Sequence, residues 1–84
     1  MVTLQDQVEQ VLDAYLVPRA GEGKHGYRAE PTRSGGVIVT WGHGDPFIAR
    51  AFLPEGLKQC TDLLVSAGFE VIPAEDGLAI LVQP

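Results

Sequence analysis

The chain has little of what usually stabilises a small protein by covalent or metal bonds. Cys60 is the single cysteine, so an internal disulfide is excluded. The two histidines, His25 and His43, belong to no tight run of ligands with the spacing of a structural metal site. We therefore predict no cofactor and no bound metal. A domain of this kind depends on its hydrophobic core, or on a partner chain.

Long apolar runs are also missing, and the pattern of the first residues predicts no leader segment. No segment approaches the roughly 18 apolar residues that a membrane span requires, because charges interrupt the stretch from Leu4 to Val17. The amino terminus lacks the basic and apolar regions of a secretory signal, so the predicted compartment is the cytoplasm. Asparagine is absent and Gly, Ala, Val and Pro are abundant, a bias typical of GC-rich coding sequences, which favours a bacterial source.

What is present has the composition of a globular protein. Hydrophobic residues make up 45% of the chain and charged residues 20%, too apolar a mixture for disorder. The 84 residues predict a single small domain, 1–84. A chain of this length buries only about 60–65% of its unfolded surface, so its stability is marginal. Association with a partner chain would supply the missing burial.

The net charge of −5 makes the molecule acidic, which disfavours general binding to nucleic acid. One basic strip interrupts the acidity between Arg19 and Arg33. It contains Lys24 and Arg28, and it is broken by two glutamates. The strip is either a solvated surface or part of a site for a nucleic acid.

Helical periodicity is clear at the start of the chain. Thr3 and Asp6 resemble a capping box, and apolar residues then recur at helical spacing as far as Tyr15. We predict a helix from about residue 4 to 16, ended by Pro18. Residues 18–26 have the composition of an exposed loop.

A β-hairpin follows. Residues 27–32 alternate between apolar and polar, with Pro31 favouring an edge position. Residues 37–41 form the strongest strand signal, and the loop 34–36 has glycine where a three-residue hairpin needs it. That loop predicts a register in which Ala29 faces Trp41, so that Tyr27 faces His43.

The segment Phe47–Phe52 admits two readings. Asp45 and Pro46 could cap and open a helix, whereas the alternation around Ile48 favours a third strand, which we predict. A second helix is then predicted, with Pro54 at its first position and Gly68 just beyond its C-cap. Strands over 69–73 and 78–82, joined by an Asp-Gly turn, complete the chain.

The predicted class is α+β, in the order α-β-β-β-α-β-β, with both helices packed on one face of an antiparallel sheet. This order and the acidity resemble small secretion chaperones, which dimerise and hold segments of partner proteins. Its first five elements also resemble the order of double-stranded RNA-binding domains. Glu55, Lys58 and Asp62 stand in the second helix, where that family has a lysine-rich start. Neither resemblance includes a motif, so neither assigns a role to any residue.

The open end of the hairpin is the predicted place for any polar site. In the predicted register His25 and His43 gather there with Asp45, as weak candidates for a metal or acid–base site. Trp41 is read as core, with partner anchor as the alternative. Cys60 lies on the buried stripe of its helix, and is read as a small core residue. The residues predicted to contact a partner are Tyr27, Arg28, Ile38, Trp41 and His43.

The sheet is predicted to have one uncovered face, because two helices can cover only one side. Ile38, Thr40, Ile48 and Ile72 fall on that side, together with one face of the last strand. The prediction is therefore a non-enzymatic protein-interaction module, acting as a homodimer or as an adaptor, with a protein partner, no membrane and no nucleic acid. The alternative is a nucleic-acid-associated or metal-dependent regulator that uses the histidine end and the basic strip.

Overall fold

The computed structural model describes residues 2–21 and 23–83. Helix α1, Leu4–Ala14, begins at the predicted capping box. The Thr3 hydroxyl accepts a hydrogen bond from the Asp6 N–H at 3.1 Å, and the Asp6 carboxylate accepts one from the Thr3 N–H at 3.2 Å. These bonds satisfy donors that a helix start leaves free. Val8 and Leu12 form the buried side of α1.

Strands β1, Gly26–Pro31, and β2, Val37–Gly42, form the predicted hairpin, but the register is shifted by two residues. Tyr27 faces Trp41 and Ala29 faces Val39, so the predicted pairs Tyr27–His43 and Ala29–Trp41 are wrong. The loop closes one residue earlier than predicted, with the Thr32 N–H donating to the Gly36 carbonyl at 2.9 Å. A shift of two keeps every side chain on its predicted side of the sheet.

The predicted third strand over Phe47–Phe52 is wrong, because this segment is the start of helix α2, Pro46–Ser66. Asp45 is the N-cap, and its side chain accepts a hydrogen bond from the Phe47 N–H at 2.9 Å. The prediction that Pro54 opens the helix is wrong as well, since Pro54 lies inside it. A good cap followed by proline at the first position outweighs a short alternating pattern.

Two further strands complete the sheet, β3 over Glu70–Pro73 and β4 over Ala79–Gln83. The order across the sheet is β1-β2-β4-β3, and every neighbouring pair is antiparallel. Within residues 2–21 and 23–83 the chain therefore runs α-β-β-α-β-β. The α+β class is confirmed. The resemblance in element order to the two families depended on a third consecutive strand, and it does not survive.

Both helices pack on the same face of the sheet. The core joins Val8 and Leu12 of α1 and Leu57, Cys60 and Leu64 of α2 to the inward side chains of the strands, which are Tyr27, Val37, Val39, Trp41, Ile80 and Val82. Trp41 is 5% exposed, which agrees with its reading as core. Over the residues described, no helix is long and apolar enough to cross a membrane.

Helix α2 can approach the sheet closely because residue 56 is glycine. A β-carbon at Gly56 would lie 2.3–2.5 Å from three atoms of the Trp41 ring, closer than atoms can approach. The indole therefore fills the space that a side chain would occupy. This contact fixes Trp41 against the middle of the helix.

Candidate functional site

The open end of the hairpin forms an aromatic cluster. The Trp41 Nε1–H donates to Nδ1 of His25 at 3.1 Å, and the His25 ring stacks on Phe52 at 4.1 Å between centroids, with 6° between the ring planes. The hydrogen bond engages the Nδ1 lone pair, so the neutral ring carries its proton on Nε2. Packing on α2 therefore accounts for the position of His25.

His43 and Asp45 form a local turn at the start of α2. The Nδ1 atom of His43 accepts a hydrogen bond from the Asp45 N–H at 2.7 Å, while the Asp45 carboxylate caps the helix. In the described part of the chain, no group of three or more His, Cys, Asp or Glu side chains is placed to hold a metal ion. The structure thus separates the roles of His25, His43 and Asp45.

Tyr27 is buried, and it ties β1 to α1. Its hydroxyl donates to the Asp13 carboxylate at 2.8 Å, and the Arg19 guanidinium lies 5.7 Å from its ring centroid. Burial raises the pKa of Tyr27, and the hydrogen bond to Asp13 raises it further. The hydrogen bond from Arg19 lowers the pKa of Asp13. Tyr27 was predicted as a partner contact, and at 2% exposure it instead belongs to the core.

The basic strip is not continuous. Arg19 donates to Asp13 at 2.5 Å and to Glu9 at 3.3 Å, so two carboxylates of α1 neutralise it. Arg28 lies instead on the opposite side of the sheet, next to Gly42. Both arginines line one shallow groove beside β1, but Glu9 and Glu30 line it as well, so the groove offers no purely basic surface to a phosphate chain.

Cys60 is fully enclosed. Its side chain has no exposed surface, and burial raises the pKa of the thiol to about 12. A reactive cysteine needs the thiolate near neutral pH and access to solvent. This supports its reading as a small core residue.

The outward side chains of the sheet form a surface that we call the open face. At its centre Ile38, Leu81 and Ile72 face one another across three neighbouring strands. Ile38 is 42% exposed and Ile72 is 43% exposed, while Leu81 is partly buried. The other members of the open face are Arg28, Glu30, Thr32, Gly36, Thr40, Glu70, Ala74, Ala79 and Gln83.

The edge of β1 is protected against further strand pairing. The Tyr27 N–H donates to the Pro18 carbonyl at 2.9 Å, and the Tyr27 carbonyl accepts from the Ala20 N–H at 3.0 Å. The Gln5 side chain donates to the Ala29 carbonyl at 2.9 Å. Pro31 has no N–H to offer at this edge. Another strand would find few free partners along β1.

The edge of β3 is protected by similar means. The Ala74 N–H donates to the Ala79 carbonyl at 2.9 Å. Because backbone groups alternate in direction along a strand, those of Val71 and Pro73 point towards the free edge. Pro73 again lacks the donor, and the strand is only four residues long. The two edges are thus unfavourable for pairing, whereas the open face is apolar at its centre.

A second apolar surface lies on the first two turns of α2. Phe47 is 84% exposed, Ile48 is 37% exposed and Phe52 is 43% exposed. We call these three residues the α2 patch. Unlike the central residues of the open face, one member of this patch is already engaged, because the Phe52 ring is stacked on His25. The exposed charge of Arg50 flanks the patch beside Phe47.

No protein-family model matches this chain, no curated protein matches its sequence, and no solved structure matches its fold. The chemistry of the protein's own surfaces is therefore the guide to its function.

Two features of the structure are not predicted by the sequence patterns. The α2 patch was missed because Phe47–Phe52 was assigned to a strand, although Asp45-Pro46 signalled a helix start. Gly56 carried no local signal of its contact, because its partner, Trp41, is distant in sequence. Ile38 and Arg28 are the predicted partner contacts that the structure brings to the open face.

Proposed function

We propose that this protein is a non-enzymatic protein-interaction module that acts as a homodimer through its open face. The observation that carries the proposal is the contiguous row of Ile38, Leu81 and Ile72 on the uncovered side of the sheet. Contiguous exposed apolar surface of this kind marks interaction sites, whereas single exposed apolar residues do not. The row crosses three strands, so it is contiguous.

The protected edges support a face contact over strand addition. Pro31 and Pro73 remove donors from the outer strands, and Pro18–Ala20 occupies part of the β1 edge. Proteins use these devices to prevent pairing between edges. The molecule thus excludes one mode of association and leaves an apolar surface for another.

The residues that most often carry catalysis are used for packing. The thiol of Cys60 is enclosed in the core, and His25 is held between Trp41 and Phe52. Asp13, whose pKa is lowered by its hydrogen bond with Arg19, also accepts a hydrogen bond from Tyr27. These arrangements stabilise the fold, which supports a binding role.

The test is the molar mass of the protein in solution, measured by light scattering over a range of concentrations. We expect the mass to rise from 9.0 kDa towards twice that value as the concentration passes through the order of 10–100 µM, the weak range that a small interface gives. A mass that stays at the monomer value to about ten times that concentration would contradict the homodimer.

A further inference from the structure

Two opposite charges stand at diagonal corners of the open face. Arg28 lies on β1, in line with Thr40 and Ala79 across the sheet. Glu70 lies on β3, opposite Gln83. Both side chains are exposed, and neither makes an ion pair within residues 2–21 and 23–83. They are therefore available to an incoming charged surface.

The dimensions of the face make the two corners interchangeable. Three strand spacings of about 4.8 Å separate Arg28 from Glu70 in one direction, and four residues at about 3.4 Å separate them in the other. Both distances are about 14 Å, so the face is nearly square. A two-fold axis along the opposite diagonal, from Thr32 to Ala74, exchanges the two corners between copies.

We propose that two copies pack their open faces with the strands crossed near 90°, so that Arg28 of each copy pairs with Glu70 of the other. This inference rests on the proposed function. Orthogonal packing is one of the two arrangements that sheets adopt face to face. The symmetry creates two equivalent ion pairs, one at each side of the apolar centre.

The same axis gives the apolar side chains complementary positions. It places Ile72 of one copy over the gap between Thr40 and Ala79 of the other, where the side chains are small. Ile38 and Leu81 meet their own counterparts at the centre. Glu30 reaches the end of the face that carries Gln83, whose amide can donate to it. An apolar centre with a polar rim is the usual anatomy of an interface.

The size of the face sets the strength of the contact. Four strands of about five residues cover about 19 by 17 Å in projection. That is well below the roughly 800 Å² that each partner contributes to a stable interface of standard size. The arrangement thus corresponds to a weak dimer, whose affinity is sensitive to the corner charges.

The experiment is a charge swap, read out as the dimer dissociation constant by sedimentation equilibrium. Arg28→Glu places like charges together at both corners, and we expect the dimer dissociation constant to increase roughly tenfold. Glu70→Arg should do the same. The double variant restores both pairs with reversed polarity, and its dissociation constant should return to within about threefold of the original.

Two control variants make the same changes in net charge on α2, away from the open face. Arg50→Glu matches Arg28→Glu, and Glu55→Arg matches Glu70→Arg; both positions are exposed. We expect neither control to change the dimer dissociation constant by more than about twofold to threefold. Far-ultraviolet circular dichroism and thermal unfolding would show that each variant keeps its fold.

The outcomes separate this arrangement from the broader proposal. A wild-type monomer at all concentrations would overturn both. A wild-type dimer whose affinity does not respond to the single substitutions, or is not restored in the double variant, would overturn only the Arg28–Glu70 arrangement. The crossed arrangement requires weaker dimers in both single variants and an affinity near that of the wild type in the double variant. It also requires that the two control variants leave the dissociation constant unchanged.

Discussion

Gly56 shows how one residue can decide the spacing between a helix and a sheet. Alanine is favoured over glycine inside a helix by about 0.5–1 kcal/mol, so propensity alone predicts that Gly56→Ala stabilises the protein. A β-carbon there would overlap the Trp41 ring, which is held by the core and by its bond to His25. Overpacking of this kind costs about 1–3 kcal/mol, and it outweighs the gain in propensity.

We therefore expect Gly56→Ala to lower the free energy of unfolding, measured by urea denaturation with tryptophan fluorescence. Gly44→Ala is the matched control, because a β-carbon at Gly44 meets no atom within 4 Å. The control should be neutral or slightly stabilising. A stabilised Gly56→Ala variant would show that the helix can move away from Trp41 at little cost.

Cys60 gives the stability a dependence on alkaline pH. The pKa of its thiol rises to about 12 in the folded protein, from an ordinary value of 9.0. Above pH 9 the unfolded chain loses this proton while the folded chain keeps it, so stability falls as the pH rises towards 12. Between pH 8 and pH 10 the expected loss from this group is about 1.4 kcal/mol.

The measurement is the free energy of unfolding at several pH values, for the wild type and for Cys60→Ala. The variant should be less stable at every pH because it loses buried atoms, but its decline between pH 8 and pH 10 should be much shallower. The raised pKa of Tyr27 adds a second decline in the free energy of unfolding, which begins about one pH unit higher and occurs in both proteins. Equal slopes below pH 10 would refute the assignment to Cys60.

At the scale of the elements, both helices end in the same motif with different residues. The α2 helix is followed, after its C-cap Ala67, by Gly68 at φ +96°, and the N–H of Phe69 donates to the Leu64 carbonyl. The α1 helix is followed, after its C-cap Tyr15, by Leu16 at φ +60°, and the N–H of Val17 donates to the Leu12 carbonyl. Glycine suits this left-handed position, and leucine does not.

Leu16 is 88% exposed, so it gains little burial in return for its backbone conformation. We expect Leu16→Gly to raise the free energy of unfolding by about 0.5–1 kcal/mol, because the relief of strain exceeds the extra entropy of an unfolded glycine. Gly68→Ala should lower it by about 1 kcal/mol. Thermal unfolding of both variants checks the pair, and a destabilised Leu16→Gly would mean that the leucine side chain contributes contacts.

The elements were predictable wherever the signals were local. The capping box of α1, the glycine at the end of α2 and the Asp-Gly turn before β4 were all correctly read from neighbouring residues. The hairpin register depended on which residues close the loop, and a loop placed one position away shifts every pair. Pro54 was misleading, because proline usually marks a helix start and here lies in the interior.

At the scale of the whole molecule, the uncovered sheet face followed from simple counting. Two helices cover one side of a sheet, which correctly assigns Ile38, Thr40 and Ile72 to the other side. Ile48, assigned with them, lies on α2 instead, because its segment is helical. The protection of the β1 edge could not be anticipated in the same way. It depends on Pro18–Ala20 returning along Tyr27 and on Gln5 reaching Ala29, which are contacts between distant parts of the chain.

Association through the open face predicts that a charge placed on that face separates the two copies. The most direct test compares the molar mass of Ile38→Asp with that of Phe47→Asp by light scattering, at a concentration where the wild type is dimeric. Both variants place a carboxylate in an exposed apolar surface, one on the open face and one on the α2 patch. We expect Ile38→Asp to be monomeric, since a charge buried in the contact without a partner is costly, and Phe47→Asp to remain dimeric. A dimeric Ile38→Asp variant, or a monomeric Phe47→Asp variant, would contradict association through the open face.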